Sequence, residues 1–231
     1  MKKNIVVLTG AGISAESGIP TFRGADGLWE GHKITDVASP GGWEKDREMV
    51  LEFYNVRRRG MLEALPNPGH AALVALEEKY NVLIITQNID NLHERAGSKR
   101  ILHLHGEIML ARSTENEALI YALEPGQDIV LGDTCELGSQ LRPHIVWFGE
   151  DVPEFPRAVQ LTQMADILII VGTSMVVYPA NTLLEYAPEH AEIYLVDPNQ
   201  PEVQSQRKIE FITEPGGVGL PPLVERLLAK V

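Results

Sequence analysis

Short apolar runs, separated by stretches with helical spacing, form the dominant pattern along the chain. Six of these runs are rich in β-branched residues and predict strands of a buried sheet. They lie at residues 4–8, 82–85, 100–102, 144–147, 167–171 and 193–196. Because helical patterns alternate with them, the sequence predicts an α/β fold whose sheet is doubly wound and mostly parallel.

The helical patterns are clearest in three places. Asn67 followed by Pro68 is typical of a helix start, and residues 221–231 predict a terminal amphipathic helix. Residues 44–64 predict a longer helix whose inward positions are apolar. These positions are Leu51, Val56 and Met61.

Composition narrows the class of protein. The net charge of −12 argues against nucleic acid as the main partner, and we read the one dense basic run, residues 57–59, as at least partly solvated. No apolar run approaches the length that spans a bilayer, and residues 2–8 lack a signal-peptide pattern. We therefore expect a cytoplasmic protein with no membrane partner. The single Cys135 excludes an intrachain disulfide.

A glycine-rich turn follows the first predicted strand. Residues 10–15 read Gly-Ala-Gly-Ile-Ser-Ala, the dinucleotide-binding fingerprint with alanine in the third place. The glycines let the backbone approach a pyrophosphate, and the next helix offers free N–H groups. The usual acidic residue further on has no clear counterpart, because Asp26 lies in a glycine-rich loop. The turn predicts a variant dinucleotide site, although such turns also occur without a ligand.

Polar side chains follow the second predicted strand at once. Gln87, Asn88 and Asp90 stand where this strand should end, and ligands of open α/β sheets bind outside the carboxyl ends of strands. One interpretation is recognition of polar ligand edges. The other is a capped loop in which Asn91 starts a helix.

Taken together, these features resemble the sirtuin family of NAD-dependent protein-lysine deacylases. Six motifs carry the resemblance, in the family's order: residues 10–14, 18–23, 86–90, 103–106, 142–150 and 172–174. The resemblance implies a single catalytic domain over residues 1–231. Its Rossmann-like part would comprise about 1–22, 66–106 and 143–231. Two insertions that break the strand–helix alternation, about 23–65 and 107–142, would form a smaller lobe, with ligands bound between the two parts.

The same resemblance implies NAD as the cofactor and gives the site residues. After the acyl-lysine oxygen displaces nicotinamide, His105 would act as general base on a ribose hydroxyl, yielding 2′-O-acyl-ADP-ribose. Asn88 and Asp90 would hold the ribose and the nicotinamide carboxamide as further catalytic residues. A lone histidine in such apolar surroundings is more often a satisfied core residue. The other cofactor-binding residues would be Gly10, Ala11, Gly12, Ser14, Ala15, Phe22, Arg23, Trp29, Gln87, Ile89, Gly172, Thr173, Ser174, Asp197 and Gly216.

Acyl-lysine proteins are the implied partners. A substrate peptide would add to an open strand edge, and an aromatic side chain there would cover the lysine stem. The edge residues are Val146, Trp147, Phe148 and Gly149. Tyr54 and Arg57 share a helix face and resemble the Tyr-x-x-Arg of sirtuins that remove succinyl, malonyl and glutaryl groups. Ala38 matches the small residue of their wider acyl pocket. Alternatively, Tyr54 and Arg57 are surface residues of an arginine-rich helix.

The chain departs from the family pattern in two places. Most relatives bind zinc through four cysteines, but here Ser113 stands near the first pair and Cys135 is the only thiol. We therefore predict no zinc and an insertion held by apolar packing. The candidate residues are Met109, Leu110, Leu119, Ile120, Tyr121, Leu123, Ile129, Val130 and Leu131. Leu195 stands where relatives place an asparagine on the adenosine ribose, so Asp197 is the candidate substitute.

Two other functions remain open at this stage. A mono-ADP-ribosyltransferase would use the same ribosyl chemistry on another acceptor, and a non-catalytic NAD sensor would fit the two departures. The sequence leaves the oligomeric state open.

Overall fold

A six-stranded parallel sheet forms the centre of the structure, a computed structural model that describes residues 2–21, 29, 31–199, 201, 203 and 205–230. In chain order its strands are β1 (Asn4–Thr9), β2 (Asn81–Thr86), β3 (Ile101–His103), β7 (Ile167–Val171), β8 (Glu192–Val196) and β9 (Ile209–Ile212). Their spatial order is β3-β2-β1-β7-β8-β9, with every neighbouring pair parallel. The predicted α/β fold is confirmed, and β9 is a strand that the sequence pattern did not indicate.

Helices cover both faces of this sheet, because alternate side chains of each strand point to opposite sides. On one face, Ile5 and Val7 pack with Leu73 and Leu220. Leu73 belongs to helix α5 (Pro68–Leu76) and Leu220 to helix α8 (Gly216–Leu228). On the other face, Val6 and Leu8 pack with helix α7 (Phe155–Thr162) and with a 3₁₀ helix (Ala180–Tyr186). The sheet is therefore doubly wound, as the alternation of elements predicted.

A second, antiparallel sheet consists of β4 (Gly106–Ser113), β5 (Ile120–Ala122) and β6 (Leu141–Ile145), in the order β5-β4-β6. The strand predicted at 144–147 is thus displaced toward the N-terminus and pairs with β4, not with the parallel sheet. This hairpin arrangement explains why residues 107–142 lack the strand–helix rhythm. The proposed boundaries of the larger and smaller parts stay a prediction.

The remaining helices precede the second sheet in the chain. Four of them are short: α1 (Gly12–Ala15), α2 (Ile34–Val37), α3 (Pro40–Lys45) and α6 (Leu92–Ala96). Helix α4 (Arg47–Glu63) is longer. Helix α8 starts five residues before the predicted position and continues through Pro221 and Pro222. In the described part of the chain, none of the helices combines the length and apolar character that a bilayer crossing needs.

The inward face of helix α4 contains Arg57 and Arg58, whereas Val56, which was expected on this face, is exposed. Leu51 and Met61 are buried as predicted, but Val56 is 50 % exposed and Arg58 is fully buried. At 100° per residue, Val56 lies opposite Tyr54, whereas Arg57 and Arg58 continue the inward face. Of the basic run, Arg59 is the solvated member, with a side chain that is 43 % exposed.

Hydrogen bonds from α4 and a small apolar core both hold the insertion. Ile120, Val130 and Leu131 are 46–54 % exposed, and only Leu123 and Ile129 of the nine candidates are buried. The Asn55 side chain bonds both the N–H and the carbonyl oxygen of Ile129, at 3.0 and 2.9 Å. The predicted apolar packing is found for Leu123 and Ile129, which share a core with α4, and for Met109, which packs against that core. Polar side chains of α4 hold the loop backbone in addition.

Arg58 is the centre of this attachment. Its Nε donates to the Ile108 carbonyl oxygen at 2.8 Å, and its Nη1 donates to Asn55 Oδ1 at 2.8 Å and to the Gln127 carbonyl oxygen at 3.2 Å. Burial lowers the pKa of Arg58 to about 10, so the guanidinium stays charged at neutral pH.

We expect Arg58→Leu to lower the free energy of unfolding by about 3 kcal/mol, because it leaves buried acceptors without donors. Arg59→Leu is the matched control: its ion pairs with Glu52 and Asp128 are exposed, so stability should barely change. Urea denaturation monitored by circular dichroism measures both. Equal effects of the two substitutions would contradict the attachment role of Arg58.

Candidate active site

Two glycine turns meet at the carboxyl ends of the central strands β1 and β7. Gly10 N–H donates to the Val171 carbonyl oxygen at 3.0 Å, and Gly12 N–H donates to that of Gly172 at 2.8 Å. Gly172 has a φ of 62°, and a Cβ on it would lie 2.3 Å from the backbone nitrogen of Ile13. Only glycine fits there, because any side chain would push the two turns apart.

The first turn offers fewer free N–H groups than the sequence predicted. Helix α1 has only four residues, and Ile13 and Ser14 donate to the carbonyl oxygens of Gly10 and Ala11 at 3.2 and 3.1 Å. A phosphate at this turn would depend on close backbone approach and on side-chain donors more than on a helix dipole.

A cleft of about 1290 Å³ opens beside the two turns. It collects every predicted site residue that lies in the described part of the chain. The predicted NAD-binding residues that line it are Gly10, Ala11, Gly12, Ser14, Ala15, Trp29, Gln87, Asn88, Ile89, Asp90, Gly172, Thr173, Ser174, Asp197 and Gly216. The predicted general base His105 lines it as well. The predicted substrate-binding residues that line it are Ala38, Tyr54, Arg57, Val146, Trp147, Phe148 and Gly149. Phe22 and Arg23 lie outside the described residues.

Two histidines, His103 and His105, have pKa values that are shifted in opposite directions. His105 Nδ1 lies 3.0 Å from the carbonyl oxygen of Gln87. Because a carbonyl only accepts, Nδ1 carries the hydrogen, which leaves the Nε2 lone pair free. Burial lowers the pKa of His105, and the bond to Gln87 only partly opposes this. At neutral pH, His105 is therefore an uncharged base that lines the cleft.

His103 does not line this cleft. Its Nδ1 lies 3.1 Å from the Asn88 carbonyl oxygen and its Nε2 lies 2.8 Å from Glu94 Oε1. Burial alone would lower the pKa of His103, but the hydrogen bond and charge of Glu94 outweigh it and raise the pKa. Two acceptors around one ring favour the imidazolium.

The side chains of Ser14, Asn88 and Asp90 form one buried network. Asn88 Nδ2 donates to Gly10 O at 3.1 Å and to Ser14 Oγ at 3.2 Å, and Ser14 Oγ donates to Asp90 Oδ2 at 3.0 Å. Leu92 N–H donates to Asp90 Oδ1 at 3.1 Å. Burial is the main cause that raises the pKa of Asp90. The capped-loop interpretation is thus partly correct, since Asp90 bonds the first turn of α6 while it lines the cleft.

Aromatic and basic side chains close the far end of the cleft. Ala38, Tyr54, Arg57 and Trp147 are each less than 7 % exposed, so the alternative of a surface Tyr and Arg is wrong. The Arg57 guanidinium lies 4.2 Å from the centroid of the Trp29 ring, and Trp147 Nε1 donates to Tyr54 Oη at 3.1 Å.

Residues 146–149 are less open than a free strand edge. The strand β6 ends at Ile145, and the N–H groups of Val146 and Phe148 donate to the carbonyl oxygens of His105 and Ala38 at 2.9 and 3.0 Å. Trp147 N–H donates to Glu150 Oε2 at 2.8 Å. A peptide would therefore meet mainly carbonyl oxygens here.

At the opposite end of the cleft, Leu195 packs in the core and Asp197 reaches the surface of the cleft. Asp197 Oδ1 accepts from Asn199 N–H at 2.9 Å. Sequence reasoning missed Asn199 here, and it also missed Val177, Tyr178 and Pro179, which line the cleft after β7. The strand-end rule that singled out residues 172–174 would have found both groups if extended by a few residues.

A hydrogen-bonded cluster stands where zinc was considered. Ser113 Oγ lies 2.8 Å from Ser139 Oγ, and Cys135 Sγ lies 3.4 and 3.2 Å from these two oxygens. One thiol and two hydroxyls do not fit a tetrahedral zinc site. Among the residues that the structure describes, no group of three or more His, Cys, Asp or Glu side chains could hold a metal ion.

Comparison with known proteins agrees with this geometry. The Sir2 family model matches residues 10–179. The chain is 52 % identical to an NAD-dependent protein deacylase of Helicobacter pylori over 226 residues, 98 % of each chain. It is 49 % identical to one of Bacteroides thetaiotaomicron over 230 residues, again 98 % of each. A solved Sir2 homologue–NAD complex has a TM-score of 0.89 at 37 % identity and covers 99 % of this chain and 90 % of that one. The chain belongs to the Sir2 family.

As the pH falls from about 8 to 5, we expect His103 to gain its proton first, above the ordinary histidine pKa of about 6.5, and His105 only below it. Nitrogen-detected NMR of labelled protein measures both pKa values and the tautomer. Glu94→Gln is the control, since it removes the charge that raises the pKa of His103 and leaves His105 unchanged. An Nε2–H tautomer at His105 would contradict the geometry.

Proposed function

We propose that this chain is an NAD-dependent protein-lysine deacylase that prefers succinyl, malonyl and glutaryl groups and removes acetyl groups as a secondary activity. The observation that carries the proposal is the neutral His105, whose free Nε2 lines one cleft with the glycine turns and with the buried Tyr54–Arg57 pair. Family membership supports the reaction, because relatives whose sequences are 52 % and 49 % identical to this chain carry the name NAD-dependent protein deacylase.

The donor set of the cleft fits NAD. Asn88, Asp90 and Gln87 offer amide and carboxylate groups that suit ribose hydroxyls and a carboxamide, and the two glycine turns allow close approach of a pyrophosphate. Gln87 Nε2 donates to Thr173 Oγ1 at 3.2 Å, which connects the polar side chains after β2 with those after β7. Asp197 and Gly216 line the other end and would face the adenosine.

NAD supplies the ribose carbon that takes up the acyl oxygen when nicotinamide leaves. The chain's own contribution is acid–base chemistry and positioning. His105 would accept the proton of a ribose hydroxyl at Nε2, while its Nδ1–H stays bonded to Gln87 and keeps the ring oriented. Asp90 and Asn88 would hold the leaving group and the ribose, and the proposed products are nicotinamide and 2′-O-acyl-ADP-ribose.

Acidic-acyl preference follows from the closed end of the cleft. A free carboxylate of the acyl chain would bond the Arg57 guanidinium and the Tyr54 hydroxyl, both buried beside the small Ala38. A hydrogen bond to a charged group is worth about 1.5–3 kcal/mol, or roughly ten- to over a hundredfold in rate. The net charge of −12 disfavours acidic substrates only at long range, where salt screens it.

We expect wild-type protein to release nicotinamide from NAD with a succinyl-lysine peptide, and more slowly with an acetyl-lysine peptide. Arg57→Met should lower kcat/KM for the succinyl peptide about tenfold or more relative to the acetyl peptide. Mass spectrometry of the products and a nicotinamide assay measure this. Arg59→Met, on the exposed side of the same helix, is the matched control and should leave the ratio unchanged.

If Arg57→Met lowers kcat/KM equally for both peptides, the assignment of Arg57 as a carboxylate receptor is wrong, but the proposed deacylase activity stands. Absence of nicotinamide release with either peptide would reject the deacylase altogether. Transfer of labelled ADP-ribose to protein without acyl-lysine would then favour the mono-ADP-ribosyltransferase, and NAD binding without turnover would favour a sensor.

We also propose that the insertion folds without zinc, held by the Ser113–Cys135–Ser139 cluster and by the attachment to α4. Elemental analysis should find no stoichiometric zinc, and a chelator should leave the melting temperature unchanged. Cys135→Ser keeps a hydrogen-bonding side chain in the cluster and should also preserve the fold. A melting temperature that falls on chelation, as in metal-dependent small domains, would contradict this proposal.

A further inference from the structure

The hydroxyl group of Tyr54 already has one hydrogen-bond partner, and that partner fixes its direction. Trp147 Nε1 lies 3.1 Å from Tyr54 Oη, although 93 residues separate them in the chain. An indole N–H can only donate, so the phenol oxygen must accept. The hydrogen of the phenol is therefore directed elsewhere. Among the described residues, Tyr54 has no second hydrogen-bond partner.

Burial keeps this phenol in its protonated form. Tyr54 is fully buried and Trp147 is 2 % exposed, and burial, more than any neighbouring charge, raises the pKa of Tyr54 well above its usual value. Both side chains line the cleft on the side of Arg57. Because Tyr54 lines the cleft, its O–H group can donate to a ligand bound there.

The indole of Trp147 is itself braced from behind. The guanidinium carbon of Arg142 lies 3.2 Å from the centroid of its ring. Glu150 holds Arg142 through Oε1 and Nη1 at 2.6 Å and also accepts the Trp147 backbone N–H at 2.8 Å. Trp43 packs against the same indole with 5.6 Å between ring centroids.

We propose that Trp147 is a specificity-determining residue: its indole N–H orients the Tyr54 hydroxyl so that the phenol donates to the carboxylate of an acidic acyl group. Arg142 and Glu150 are positioning residues that hold the indole in place. This inference rests on the proposed acidic-acyl deacylase, and it assigns Trp147 a task separate from covering the lysine stem. An acetyl group has no carboxylate to accept this hydrogen, so the task concerns acidic acyl groups alone.

The test is a double-mutant cycle on the ratio of kcat/KM for succinyl-lysine to kcat/KM for acetyl-lysine peptide. Trp147→Phe removes the donor and keeps an aromatic ring, so it should lower the ratio about five- to twentyfold. Tyr54→Phe should also lower the ratio. Because Trp147 acts through Tyr54, adding Trp147→Phe to Tyr54→Phe should change the ratio by less than about twofold.

Trp43→Phe is the matched control: phenylalanine keeps an aromatic ring against the Trp147 indole. Trp43 neither bonds Tyr54 nor lines the cleft, so the ratio should stay unchanged. If Trp147→Phe does not unfold cooperatively, Arg142→Lys is measured in its place. This substitution keeps the positive charge but removes the flat guanidinium that packs on the indole, so the ratio should fall.

Three outcomes overturn the inference: an unchanged ratio in Trp147→Phe, an unchanged ratio in Arg142→Lys, or an equal drop in the ratio with and without the Tyr54 hydroxyl. The Arg57→Met variant, measured alongside, distinguishes a wrong role for Trp147 from a wrong proposed function. If Arg57→Met lowers the ratio and Trp147→Phe does not, only the role of Trp147 is wrong. If neither substitution changes the ratio, the acidic-acyl preference itself is wrong.

Discussion

The backbone contact between the two glycine turns is the constraint on which the cleft depends. Gly12 and Gly172 approach so closely that a single Cβ would overlap the facing backbone. This contact brings the carboxyl ends of β1 and β7 together, and the polar residues after β2 then reach the same place. Asn88 bonds Gly10 directly, and Gln87 bonds Thr173. Without this contact, the polar groups that follow the three strands would not line one cleft.

Two histidines only two residues apart occupy different electrostatic settings because of what each faces. His103 has an acceptor at each ring nitrogen, one of them the carboxylate of Glu94, whereas His105 is buried and has one carbonyl partner. The same carbonyl–imidazole pattern thus holds the backbone of residues 87–88 from both sides. The pKa of His103 is raised beside the carboxylate of Glu94, whereas burial lowers the pKa of His105, which lines the cleft.

Local patterns in the sequence predicted five of the six strands of the parallel sheet but not β9. Strand ends and glycine turns are encoded by neighbouring residues, and together with the family resemblance they gave candidates of which every described one lines the cleft. Long-range partners were not encoded locally. The burial of Arg58 depends on carbonyl groups fifty or more residues away, and the exposure of Val56 follows from it. The pairing of β6 with β4, and the bond between Trp147 and Tyr54, also need the folded chain.

The bond between Trp147 and Tyr54 has a consequence for how such a pocket changes over evolution or in the laboratory. Replacing the tyrosine by an apolar residue would leave the buried indole N–H without its acceptor, at a cost of about 1–3 kcal/mol. Replacing the tryptophan alone would leave a phenol oxygen equally deprived. Each single substitution therefore lowers the free energy of unfolding, whereas exchanging both residues together leaves neither polar group without a partner. The pair should be inherited, and redesigned, as a unit.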